Sequence, residues 1–63
     1  MKRNLLLKHL KENLCTLDRE GKHSIYKNSK TNAWTAVPHH ADVREHTVFD
    51  ICKQLGIPKP KIN

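Results

Sequence analysis

Leucines recur with a helical period at the start of the chain. Leu6, Leu7, Leu10 and Leu14 fall at i, i+3/i+4 and i+7/i+8, while Lys8, Lys11 and Glu12 point the other way, which predicts an amphipathic helix. Leu5 lies off the centre of that stripe and is expected to be half exposed; Asn4 is the usable cap, with no capping box behind it. From Leu14 the period shortens. LCTLD (14–18) predicts a first strand with Cys15 and Leu17 on one face, and REGK (19–22) a turn in which Gly21 supplies backbone freedom. HSIYK (23–27) predicts a second strand, where His23, Ile25 and Lys27 alternate with Ser24 and Tyr26. NSKTN (28–32) is polar turn chemistry, and AWTAVP (33–38) a third strand that stops where Pro38 removes a ladder donor. Three strands on short turns predict an antiparallel meander.

A second helix closes the pattern. Thr47 is its candidate N-cap and Asp50, three residues on, the partner of a capping-box-like T-x-x-D. His46, just before that cap, is expected in the preceding loop. Val48, Ile51, Cys52 and Leu55 form the apolar stripe; Gly56 sits where a left-handed C′ residue belongs, Ile57 can fold back on Ile51 or Cys52, and Pro58 blocks continuation. The expected domain is 1–58, with 59–63 a basic, proline-punctuated tail that frays. The order is α-β-β-β-α, an α+β chain in the double-stranded-RNA-binding type of layout: both helices on one face of a three-stranded antiparallel sheet, the other face open. With Tyr26, Thr35 and Val37 under the helices, His23, Ile25 and Lys27 face outward.

Size limits the chemistry. A chain of 63 residues buries only about 60% of the surface its unfolded form exposes, so a deep enclosed pocket is not expected and a site should be shallow. Twelve Lys and Arg against six Asp and Glu give a net charge of +6, with the cations spread along the chain. That field favours polyanions, nucleic acid first, then an acidic protein, then an anionic membrane. No apolar run is long enough for a bilayer or a signal peptide, and the two cysteines are read as buried free thiols in a reducing cytoplasm.

Each candidate chemistry can be weighed against these limits. Five histidines and two cysteines invite a zinc reading, but no C-x2-C or H-x3-H pair nucleates a site, so no metal is expected. The acids are scattered with no D-x-D, and Gly21 and Gly56 make no phosphate loop; no cofactor is expected. Metal-free acid–base work by a histidine on a basic face remains. RNA suits it, because its 2′-hydroxyl is a built-in nucleophile that needs only a base, an acid and positive charge for the phosphorane. His23 is the proton-transfer candidate, with Lys22 and Lys27 to stabilise anionic charge. Tyr26 and Trp34 are read first as core residues, with stacking on a base or a partner as the other use. His9 is read as half-buried or at the surface. A non-catalytic double-stranded-RNA-binding module, or a module whose basic face docks an acidic partner, are the competing readings.

One ordered set of residues is more specific. GKH before the second strand, Tyr26 three residues on, VP closing the third strand with His40 two beyond, and T-x-x-x-I-x-K-Q-x-G-I in the last helix together resemble the HicA (YcfA-like) family of toxin–antitoxin toxins over about residues 3–58. The resemblance implies the same α-β-β-β-α fold and an mRNA interferase, a ribosome-independent endoribonuclease acting on mRNA and restrained by a HicB-type antitoxin. It places the catalytic histidine at His23 and a supporting, phosphate-directed one at His40. The chain departs from the family pattern at Asn13-Leu14, where a Gly-aromatic pair is common, at His46 in place of a glycine, and at Lys22 in place of serine.

Overall fold

A computed structural model of the chain describes residues 1–61. Helix α1 spans Arg3–Glu12, strands β1, β2 and β3 span Cys15–Arg19, Ser24–Asn28 and Trp34–Val37, and helix α2 spans Glu45–Leu55. The strands form one antiparallel sheet in the order β1-β2-β3, with Cys15 opposite Asn28, Leu17 opposite Tyr26 and Ser24 opposite Val37. The expected α-β-β-β-α order and meander are therefore present.

The leucine stripe of α1 and the stripe of α2 meet over one sheet face. Leu6 and Leu10 from α1, Val48, Ile51, Cys52 and Leu55 from α2, and Cys15 and Val37 from the sheet share one core, with Val43 beneath the connection into α2. Side chains alternate across a strand, so Thr35 and Val37 lie under the helices while Trp34 and Ala36 stand on the uncovered side. Leu17 shares Cys15's parity but remains half exposed, because it lies beside α1 on the edge strand instead of beneath it.

Several boundaries differ from the sequence pattern. Leu14 is not on the helix: α1 has ended, and Leu14 takes φ 66° with its side chain exposed. The backbone must reverse there to enter β1, and the turn outweighs the leucine's helical periodicity. Asn4 lies inside α1, whose cap position is Lys2; the helix start is stitched by backbone instead, through Arg3 N–H to the Ala41 carbonyl at 2.9 Å and Val43 N–H to that of Met1 at 2.8 Å. The same stitching carries the chain into α2 early. Its cap position is Arg44, in extended conformation and without a side-chain cap, so the Thr47–Asp50 box does not form and His46 sits in the first helical turn. His23 immediately precedes β2 instead of opening it.

The end of α2 follows the sequence closely. Gly56 has φ 70°; its N–H donates to the Lys53 carbonyl at 3.2 Å and Ile57 N–H to that of Cys52 at 3.0 Å, the paired bonds of a Schellman stop. The buried amide of Asn28 adds a third bond, Nδ2 to the Leu55 carbonyl at 2.8 Å. Beyond it, the His9 ring donates to the Pro58 carbonyl at 2.7 Å and Lys59 Nζ sits 4.7 Å from the centre of the Phe49 ring. The expected tail 59–63 is described as far as Lys61, and Ile62 and Asn63 lie outside the described residues.

The two glycines separate by experiment. Gly56 needs a left-handed backbone, whereas Gly21 has no positive φ and open space where a Cβ would stand, so the freedom expected at Gly21 is not used. Gly56→Ala is expected to cost about 1–2 kcal/mol and Gly21→Ala to leave stability within about 0.5 kcal/mol, read as urea midpoints. Equal effects would contradict the turn geometry.

Candidate nucleic-acid interface on the open sheet face

The uncovered face takes its shape from strand pairing. Thr16, Lys27 and Trp34 share one row of the register, and Arg19, Ile25 and Ala36 the next. Arg19 reaches this face through an irregularity: pairing steps from Leu17–Tyr26 to Arg19–Ile25, so Asp18 is the extra residue of a bulge. A bulge lets two residues oppose one and re-aims the side chains beyond it. Without it, Arg19 would share Cys15's parity and point to the helix side.

Below the bulge, the turn that carries Lys22 and His23 closes over the end of the sheet. It forms one end of an open hollow of about 350 Å³, floored by Ile25, Trp34 and Ala36 and rimmed by Arg19, Lys22 and His23. His23 and Lys22 are both exposed. The structure thus brings together His23 and Lys22 and adds Arg19 and Trp34. Lys27 stands on the same face one row away, opposite Trp34, half-buried in a neighbouring hollow with Asp18 and Asn32.

His40 is placed elsewhere. It lines a separate hollow with Arg44 and His46 at the entry to α2. The histidine that touches the His23 turn is its neighbour: His39 Nε2 lies 2.9 Å from Glu20 Oε1 and 3.2 Å from the Gly21 carbonyl. The spacing after Val37-Pro38 singles out His40 in the sequence, but the direction of the chain after β3 brings His39 to the turn instead.

A polar chain running through the molecule fixes the turn. Arg3 donates from Nε to the Pro38 carbonyl at 2.8 Å and from Nη2 to Ser24 Oγ at 2.9 Å. Ser24 Oγ in turn donates to the Glu20 carboxylate, 3.0 Å from either oxygen, and Glu20 accepts from His39. Ser24 is fully buried, so an unpaired hydroxyl there would be costly. Arg3, Ser24, Glu20 and Arg19 were not among the sequence candidates. Nothing local marks Arg3 as a partner of Ser24. Trp34, read first from the sequence as a core residue, is exposed on the open face, because the strand alternation that turns Thr35 and Val37 inward turns it outward.

Cys15 and Cys52 are both free and buried. Burial pushes each thiol above the ordinary 9.0, and for Cys52 the neighbouring Cys15 adds to the shift. They fill core space and are poor nucleophiles. Among the described residues, no group of three or more His, Cys, Asp or Glu gathers as a metal site, and no helix is long and apolar enough to cross a membrane.

The fold is a two-helix, three-stranded domain with one bare sheet face, edged by cations and an exposed imidazole. Comparison with known proteins names the family. Residues 4–57 match the family described as the HicA toxin of bacterial toxin–antitoxin systems, and the chain belongs to it. No curated protein and no solved structure matches.

Ser24→Ala is expected to destabilise the fold by about 1–2 kcal/mol, since it removes the acceptor of one charge-assisted bond and the donor of another; denaturant titration beside a surface serine variant, Ser29→Ala, checks it. The thiols give a pH dependence. Their folded values are raised, so the stability they contribute is complete below the unfolded thiol value and is lost as pH rises through the folded one. Urea midpoints should decline above the ordinary value of 9.0, and a Cys15→Ala/Cys52→Ala double variant should decline less. Fast alkylation of either thiol in the folded protein at neutral pH would contradict this account.

Proposed function

We propose that this toxin is an mRNA endoribonuclease acting in the cytoplasm, in which His23 transfers the proton, and that a HicB-type antitoxin protein restrains it. The observation that carries the reading is the position of His23: an exposed imidazole on the uncovered side of the sheet, lining one hollow together with Arg19, Lys22 and Trp34. A proton-transfer group must reach its substrate within hydrogen-bond distance, and an open face admits a ribose-phosphate chain where an enclosed site would not.

The reaction is a transesterification. His23 removes the proton of a 2′-hydroxyl; the 2′-oxygen attacks the adjacent phosphorus, a P–O2′ bond forms and the P–O5′ bond breaks. The proton that the 5′-oxygen needs comes from the imidazolium or from water. Lys22, and Lys27 one row along, hold negative charge as it builds on the phosphorane, and Arg19 is placed to do the same. His40, in its own hollow, meets a phosphate further along the strand and not the one being cut. The products are a 2′,3′-cyclic phosphate and a 5′-hydroxyl.

His23→Ala is expected to lower the cleavage rate at least about 100-fold with an unchanged far-ultraviolet spectrum, and to abolish growth arrest on induced expression. Cleavage should continue in excess chelator and stop when the 2′-hydroxyl at the cut is replaced by hydrogen. Equal cleavage by wild type and His23→Ala would end the catalytic assignment, and RNA bound but never broken by wild type would leave a binding module in its place.

A further inference from the structure

Trp34 is placed where a small protein has reason not to put a tryptophan. It is 61% exposed, in a chain that contains one tryptophan, one tyrosine and one phenylalanine. Tyr26 and Phe49 both pack against the core, so the scarce aromatics are otherwise spent on stability. Trp34 instead stands on the bare sheet face opposite Lys27, over the floor that Ile25 and Ala36 complete. The hollow is flat and open, so it does not enclose a small molecule. A flat apolar floor bordered by cations fits a ligand that alternates planar rings with negative charges.

We propose that Trp34 is a stacking platform for an unpaired nucleobase next to the phosphate at His23, which makes single-stranded RNA the substrate of this face. The inference rests on the nuclease reading above for the role of His23, but its binding claim stands on the geometry of the hollow. Base–aromatic stacking is worth about 1–3 kcal/mol per base and tolerates any base, because each has a π-face. In a duplex those faces are already stacked, and double-stranded RNA is met through its backbone and 2′-hydroxyls; a tryptophan floor gains nothing from it. Arg19 and Lys22 at the rim take the flanking phosphates. The one carboxylate in the hollow, Glu20, is engaged by Ser24 at 3.0 Å and His39 at 2.9 Å, which blunts its repulsion of a phosphate. An acidic protein segment would find the same cations, yet an aromatic floor beside an exposed imidazole matches the repeat of base and ribose-phosphate more closely.

Because Trp34 is the chain's one tryptophan, its fluorescence reports on the hollow. The full-length protein is titrated with a 2′-O-methyl oligonucleotide, which lacks the nucleophile and survives, as a single strand, annealed to its complement, and with abasic residues throughout. The single strand is expected to quench the fluorescence saturably and the other two to quench it little. By an independent anisotropy reading, Trp34→Ala should weaken single-strand binding about tenfold without lowering the urea midpoint, Trp34→Phe should recover most of the loss, and the abasic strand should be indifferent to Trp34. Unchanged affinity in Trp34→Ala, equal binding of duplex and single strand, or fluorescence that answers to an acidic protein partner but not to RNA would each overturn the proposal. The two readings fail separately: Trp34-dependent binding without cleavage sinks the nuclease and keeps the platform, whereas His23-dependent cleavage indifferent to Trp34 does the reverse.

Discussion

The guanidinium of Arg3 ties together three parts of the chain. From the first turn of α1 it reaches the carbonyl that follows β3 and the hydroxyl that opens β2. Ser24, fully buried, passes the contact to Glu20, and Glu20 holds His39. The residue next to Ser24 is His23. The exposed imidazole therefore stands on a backbone fixed from below by charge-assisted bonds, each worth about 1.5–3 kcal/mol, while the ring itself is left to solvent. The proton-transfer role proposed for His23 needs a rigid base and a free tip, and a surface turn with no such anchor would give only the second.

That anchoring matters more because the core is thin. Among the described residues, nine buried apolar side chains form the core on one face of the sheet, and two of them are cysteines acting as small hydrophobes. So little apolar surface cannot wrap both faces, which leaves the second one bare. The same shortage explains why polar devices carry so much of the fold: the Schellman stop after α2, Asn28 beneath it, and the backbone stitching of Arg3 and Val43 between the two helix starts. The proposed function uses the face that the core leaves uncovered.

Legibility in the sequence tracks the range of the forces involved. Stripes of period 3.6 and 2 are local, so the element order, the inward set Thr35 and Val37, and the stop at Gly56 could be read directly. The features that finish the site are not local. The bulge at Asp18 turns Arg19 to the open side, and a slip of one residue reverses every side chain beyond it; only the partner strand decides where it falls. Leu14 takes a left-handed backbone because the chain must turn, although its spacing matched the helix. Thr47 and Asp50 had the right spacing for a capping box, but the attachment of Val43 to the N-terminal segment starts α2 before they can form it. The sequence spacing points to His40, and only the fold shows that Glu20 holds His39.

Charge and shape divide the labour of recognition. A net charge of +6 spread over the whole surface draws a polyanion from any direction and fades with salt, so by itself it selects neither strand nor position. Selection requires a short-range contact that salt does not screen. On the bare face the proposed contact is the exposed indole, and the imidazole lies at the same hollow. On the proposed reading, a strand held there by a stacked base would bring one phosphate to His23 and leave its neighbours to the diffuse field. The long-range term would then set how fast RNA arrives, and the hollow which bond is exposed to attack.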